Sequence, residues 1–275
     1  FLGEVLFKSA TFKASSRITG CTFSNNLNFT DVTVNRAFDF SESTFQGVND
    51  FTGTKFEGAA IFNVCNFKLN DNVSDAAHKS NSTAPNFTAT IFEIPPNLSY
   101  LSLPEPEDIN EKMAAAKFRR LKELAEDGKN HLAEARFFRY EMLCRRGYEE
   151  SKLFSFFITL YDKISRFSLS VTRPFVALIG FMILFWGIYV VLRTGLNIDQ
   201  LKMAPIGDLL LYSAHNALPL IGANSDQKLA LVNTLFGGYE SRPIYFGIAS
   251  FFQNLIGLGL YFLILLAIRS YFRMR

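Results

Sequence analysis

The sequence predicts a mixed fold: an N-terminal β-solenoid, a helical connector, and a C-terminal α-helical membrane domain. Three observations predict it. Apolar residues recur at every eleventh position through the first part of the chain, the period turns helical from Asp108, and charge thins out after Arg173. The expected divisions are 1–107 for the solenoid, 108–150 for a helical hairpin, 151–170 for an interfacial helix and 171–275 for the membrane domain.

The solenoid rests on two interleaved columns. One runs Phe12, Phe23, Val34, Phe45, Phe56, Phe67, and the other runs Phe7, Ile18, Phe29, Phe40, Phe51, Phe62. Every step in both is eleven. A third column of small or medium residues, Ala10, Cys21, Val32, Ser43, Thr54 and Cys65, stands two positions before the first. Spacing of two puts both residues on one side of a strand. A helix would need 3.6-residue spacing, which is absent. Each turn can bury its Phe residues only by stacking on its neighbours. Lys68 to Asn86 is polar and reads as a loop. The register resumes at Phe87, Phe92, Leu98 and Leu103, with Thr90 in the small column, and Pro95, Pro96, Pro104 and Pro106 are expected to close the edge.

Segments such as FSESTFQGVNDFTGTKFEGAAIFNVCNF resemble pentapeptide-repeat proteins, in a Phe-rich variant with 5/6 spacing, over about residues 1–103. The resemblance implies a right-handed quadrilateral β-helix, here with roughly twenty-two residues per coil. Some members of that family mimic DNA, which requires a dense acidic surface. Residues 1–100 carry seven Lys+Arg and nine Asp+Glu, too even a balance for that role.

Composition limits the remaining classes. Apolar residues are 49% of the 275 and charged residues 19%, with 30 Phe, which excludes a disordered chain. The net charge of +3 does not suggest a nucleic-acid partner. Cys21, Cys65 and Cys144 form no CxxC pair and no disulfide framework, which suits a reducing compartment. Cys21 and Cys65 read as small core residues rather than metal ligands. The Asn-x-Ser/Thr matches at Asn28, Asn72, Asn81, Asn86 and Asn97 read as repeat corners rather than glycosylation sites. The chain opens on Phe1 without a signal-like segment and is expected to begin inside a repeat. Phosphate-loop, nucleophile-elbow and metal-cluster motifs are missing, so neither an enzyme nor a cofactor is expected.

Asp108 or Asn110 can cap a helix reaching Glu126, Gly128 is a natural stop, and a second helix runs from about Lys129 to Glu150. The pair forms a hairpin of tetratricopeptide type. Arg119, Arg120, Arg145 and Arg146 read as a solvated face, with anionic lipid or a protein partner as the other reading. In the next stretch Leu153, Phe157, Leu160, Ile164 and Phe167 recur at helical spacing, flanked by Lys152, Lys163 and Arg166. That pattern predicts an amphipathic helix in the membrane interface.

Pro174 to Leu192 and Tyr245 to Ile268 lack charge and are long enough to span a bilayer. Lys163, Arg166 and Arg173 precede the first span, and Arg269, Arg273 and Arg275 follow the second. The positive-inside rule therefore places both termini in the cytoplasm, and a bacterial inner (plasma) membrane is expected. Between the spans, Pro205 to Gly222 is apolar but too broken to cross. Pro205 can start a short helix, Asp208 suits its first turn, and Pro219 and Gly222 end it. A half-length helix followed by an irregular segment is what a re-entrant loop needs.

The order of span, short helix, irregular segment and span resembles two-transmembrane pore-loop channels of the potassium-channel type, over about residues 151–275. The resemblance implies several copies around one axis, usually four, with a cation path lined by backbone carbonyls. A filter-like role falls by position on Leu218, Pro219, Leu220, Ile221 and Gly222. The Thr-Val-Gly-Tyr-Gly run is absent, so potassium selectivity is not implied. Asp226 is either an acidic ring at the outer mouth or an ordinary loop carboxylate. In the pore helix, with Asp208 and Asn216, His215 either senses pH at the pore or bonds within the packing. Gln253 and Asn254 either bond across helices or line a cavity. The expected partners are other copies of the chain, membrane lipid and a cytoplasmic protein on the solenoid. A membrane-anchored scaffold without conduction is the alternative.

Overall fold

The computed structural model describes residues 1–68, 84–106, 112–194, 205–218, 225–238 and 240–273. It divides into two compact units, Phe1–Asp162 and Lys163–Arg273.

In the first unit, two-residue strands follow one another: β1 (Val5–Leu6), β2 (Thr11–Phe12), β3 (Ser16–Arg17), β4 (Thr22–Phe23), β5 (Leu27–Asn28) and β6 (Thr33–Val34). They continue as β7 (Phe38–Asp39), β8 (Thr44–Phe45), β9 (Asn49–Asp50), β10 (Lys55–Phe56), β11 (Ala60–Ile61), β12 (Asn66–Phe67) and β13 (Ile91–Phe92). The chain visits four parallel stacks in rotation: β1-β5-β9, β2-β6-β10-β13, β3-β7-β11 and β4-β8-β12. Thr33 lies beside Lys55, a register of 22, whereas Lys55 lies beside Ile91, a register of 36. Fourteen more residues thus separate these two paired strands than the regular repeat requires, and the pairing is kept. Stacked parallel strands of this kind fit a repeat β-helix.

Both Phe columns point inward. Phe23, Phe29, Phe40, Phe45, Phe51, Phe56, Phe62 and Phe67 are fully buried, and so is Phe38, which stands two positions before Phe40. Phe23, Phe45 and Phe67 form one stacked file with centroids 5.0 and 4.6 Å apart, matching the ~4.8 Å rise between paired strands. The small column does more than fill space. Ser43 Oγ donates to the Ile18 carbonyl (3.0 Å), Thr54 Oγ1 to Phe29, Cys65 Sγ to Phe40 (3.1 Å) and Thr90 Oγ1 to Phe51 (2.7 Å). Each side chain therefore satisfies a buried carbonyl of the preceding coil. Burial pushes the Cys65 thiol up to about 12, as expected of an inert core residue.

Corners are clipped locally. Asn28, Asp39, Asp50, Asn86 and Asn97 each accept, through Oδ1, the backbone N–H two residues on. At Asn28, Asn86 and Asn97 this is why Asn-x-Ser/Thr recurs; Asn72 and Asn81 lie outside the described residues. A second corner turns through positive φ at Ser9, Gly20, Asp31, Glu42, Gly53 and Val64, again every eleven residues.

Helices α1 (Lys112–Asp127) and α2 (His131–Tyr148) pack along one another. Asn130 caps α2 by accepting from the Ala133 N–H (3.1 Å), two residues inside the expected start. Ala114, Phe118, Leu121, Phe137 and Cys144 share one core with Phe87, Leu98, Leu101 and Leu103. The hairpin therefore covers the last coil, a role the sequence reading assigned to prolines alone. Arg120 donates to the Thr90 carbonyl (3.0 Å) and Arg136 to that of Leu101. Glu141, buried on α2, accepts from Arg119 (2.8 Å) and Lys122 (3.1 Å). Arg120, half-buried, thus fastens the hairpin to the last coil, while Arg119 faces solvent as expected and pairs there with Glu141.

Helix α3 (Lys152–Ser165) exposes Leu153, Phe154, Phe156, Phe157 and Leu160. On its other side, Asp162 receives both Nε (2.5 Å) and Nη2 (3.2 Å) of the buried Arg139, which also pairs with Glu105. The amphipathic helix stops at Ser165 rather than reaching 170. Arg166, Phe167 and Ser168 all take positive φ, and the Ser168 N–H bonds to Ser165 Oγ (2.8 Å), which breaks the helical ladder.

In the second unit, α4 (Thr172–Thr194) and α7 (Ile244–Arg273) are long and apolar enough to cross a membrane. Their large apolar side chains point mostly outward, as with Val176, Leu184, Phe251 and Phe262. Among the described residues two short helices lie between them in sequence, α5 (Ile206–Ala217) and α6 (Ser225–Phe236).

Candidate functional site

The site is the junction of α5 with the two long helices. At 1.5 Å per residue, a twelve-residue helix extends ~18 Å, about half a bilayer core. Proline explains both its ends. Pro205 stands at the N-cap, where its missing N–H costs nothing. Leu218 caps the C-terminus at φ −114° and ψ 85°, because the residue before Pro219 is pushed out of the helical region. Leu209, Tyr212, Ser213 and Asn216, spaced i, i+3, i+4, i+7, form the buried face.

That face enters a polar network. Tyr189 of α4 donates to Gln253 Oε1 of α7 (2.8 Å). Gln253 Nε2 donates to the Ser213 carbonyl (3.0 Å) and hydroxyl (2.7 Å). Ser213 Oγ donates to the Met182 carbonyl (2.7 Å), and Asn216 Nδ2 donates to the Tyr189 hydroxyl (3.4 Å). A second group joins Tyr212, Ser250 (2.7 Å) and Arg242 (3.1 Å). Tyr189, Ser213, Asn216 and Gln253 are all fully buried. Paired polar groups in an apolar surround are costly to separate, so they hold three helices in one register.

Depth follows from the contacts. Trp186 Nε1 donates to the Ile206 carbonyl (3.1 Å) near the start of α5. At its other end, Ala217 packs with Leu178 of α4 and Leu260 of α7. A Cβ on Gly257 would fall 2.5 Å from the Ala217 carbonyl oxygen, so only glycine permits this approach. Gly257 stands near the middle of α7, ~20 Å from its start. The C-terminal end of α5 therefore lies level with the middle of α7 and beside Leu178, in the first half of α4.

The sequence-predicted residues separate. Gln253 and Asn216 meet in the network, whereas Asn254, one position on, is half-buried and makes no side-chain hydrogen bond among the described residues. His215 is buried, and among the described residues neither its Nδ1 nor Asn216 Oδ1 has a hydrogen-bond partner. Asp208 is half-buried in the first turn of α5, where a carboxylate complements the helix dipole. Asp226 is exposed in the first turn of α6. Leu218 is half-buried beside Ala217. Pro219, Leu220, Ile221 and Gly222 lie outside the described residues.

Sequence reasoning missed Tyr189, Ser213, Ser250 and Gly257. The readable signal was Ser250, Gln253 and Gly257 on one face of an otherwise apolar segment, the small-and-polar stripe that lets membrane helices approach. Tyr189 had no signal, since an aromatic ring in a span looks apolar until its hydroxyl finds a partner. No family model, curated protein or solved structure matches the chain, so its fold and site stand on its own residues.

Proposed function

We propose that the chain is an integral membrane protein, with both termini cytoplasmic in a bacterial inner membrane, whose copies assemble, as four, around a cation path. In this reading α5 is a re-entrant pore helix and residues 218–222 line the narrowest part. Asp226 concentrates cations at the outer mouth. The N-terminal unit is a right-handed quadrilateral coil of the pentapeptide-repeat type, which binds a cytoplasmic partner or regulates opening. The four expected divisions of the chain belong to the same reading. One observation carries it: α5 ends inside the span of the long helices, beside Leu178 of α4 and level with the middle of α7, pinned there by the Tyr189–Gln253–Ser213 bonds and the Gly257 approach. A simple two-helix anchor has no need of a polar cluster at that depth. The exposed apolar face of α3 supports a helix lying in the interface just before the first span.

A second reading, an anchor carrying a scaffold, is favoured by the closure of the network inside one copy. Gln253 spends its polar groups within the chain rather than on an open axis. Two measurements separate the readings. The size of the full chain in detergent is expected to correspond to an oligomer, and planar-bilayer recording is expected to show cation current. Asp226→Asn should lower that current at low salt and leave it unchanged at high salt, where screening removes the ring's field. A monomer, or a silent bilayer, favours the anchor.

A further inference from the structure

A groove of about 570 Å³ runs along the first turns of α7, within the size range of small-ligand sites. Ile244, Ile248, Phe251 and Phe252 form its apolar wall, each more than half exposed. These positions recur at helical spacing, so the wall is a single stripe. Arg242 closes one end. Its Nη1 donates to the Tyr212 hydroxyl (3.1 Å), and the rest of the guanidinium lies over Gly247, where an added Cβ would come within 3.2 Å of Nη2. Glycine at 247 thus makes room for a cation at the head of an apolar channel. A second cation stands near: Lys228 of α6 is held below the ordinary lysine range, by burial first and by the Arg242 charge second.

We infer that this groove is a binding site for one anionic phospholipid, its phosphate on Arg242 and an acyl chain along Ile244, Ile248, Phe251 and Phe252. Charge complementarity selects that occupant over an apolar helix, because a guanidinium cation attracts a phosphate and finds no acceptor on an apolar face. Position selects it too. Arg242 precedes the first residue of a span, the level of lipid headgroups, while the wall descends into the hydrocarbon. The inference rests on α7 crossing the membrane and not on conduction, so failure of the pore reading leaves it intact.

Native mass spectrometry of the full chain in a delipidating detergent, titrated with short-chain phosphatidylglycerol or phosphatidylcholine, tests it. Wild type should retain phosphatidylglycerol more tightly than phosphatidylcholine. Arg242→Gln should weaken phosphatidylglycerol roughly tenfold, and Arg242→Lys should recover part of the loss. Ile248→Trp, a change on the exposed wall that spares the Tyr212 bond, should displace both lipids. Arg273→Gln, at the other end of α7, should change neither. Equal retention by wild type and Arg242→Gln would overturn the site. So would inorganic phosphate competing as well as lipid, which marks a free-anion site. A change of oligomeric mass in Ile248→Trp without lipid loss would assign the groove to a second copy.

Discussion

The two units solve the same problem with their polarity reversed. In the coil of short strands the centre is Phe and the corners are Asn, Asp, Ser and Thr, where Asn28, Asp39 and Asp50 each accept the N–H of the Ser or Thr two residues on. In the second unit the surface is Phe, Ile and Leu, and the centre holds Tyr, Gln, Ser and Asn bonded to one another. The difference teaches which side of each unit meets water. Burial of apolar area drives the first unit together. On the proposed reading of the second unit, its helices stand in lipid, where that force is absent and close approach and buried hydrogen bonds supply cohesion.

The contrast can be broken most directly at Phe45, which stacks between Phe23 and Phe67. Phe45→Ala should cost ~3–5 kcal/mol, read as a lowered urea midpoint for loss of the β signal in circular dichroism of the full chain. The matching change in the membrane unit is steric. Gly257→Ala should cost ~1–3 kcal/mol in thermal unfolding in detergent, because its Cβ meets the Ala217 backbone. Gly259→Ala, with nothing within 4 Å, should be silent in the same assay. Equal effects at 257 and 259 would remove the close approach. Next in size is Gln253→Leu, which leaves Tyr189 and Ser213 without their partner. It should cost ~0.6–1.7 kcal/mol, the range for hydrogen bonds between membrane helices. The smallest change runs the other way. Val64 is β-branched, half-exposed and held at φ 58° in the left-handed corner column. Val64→Gly should raise stability by ~1 kcal/mol, visible as a higher urea midpoint with unchanged slope.

Much of the first unit was legible because its regularity is one-dimensional. A column with a step of eleven shows itself without knowledge of any contact, and the register of 22 follows by doubling. The resumption at Phe87 was legible for the same reason. The covering of the last coil was not. Arg120 and Thr90 are thirty residues apart, and only folding brings that guanidinium to that carbonyl. The end of α3 was misjudged because Phe167 continues the apolar spacing while its backbone has already left the helix. At the candidate site, Gln253 and Asn216 stood out as polar residues in apolar surroundings, but nothing in their spacing said that both would reach Tyr189.

The sequence by itself determined the repeat, the two long apolar helices and the short helix between them, since each depends on periodicity or on absence of charge within a local window. Tertiary structure alone decided which buried oxygen meets which nitrogen and how far α5 descends along α4 and α7. Those outcomes depend on side chains tens of residues apart converging to within 3 Å, a distance that no local pattern encodes.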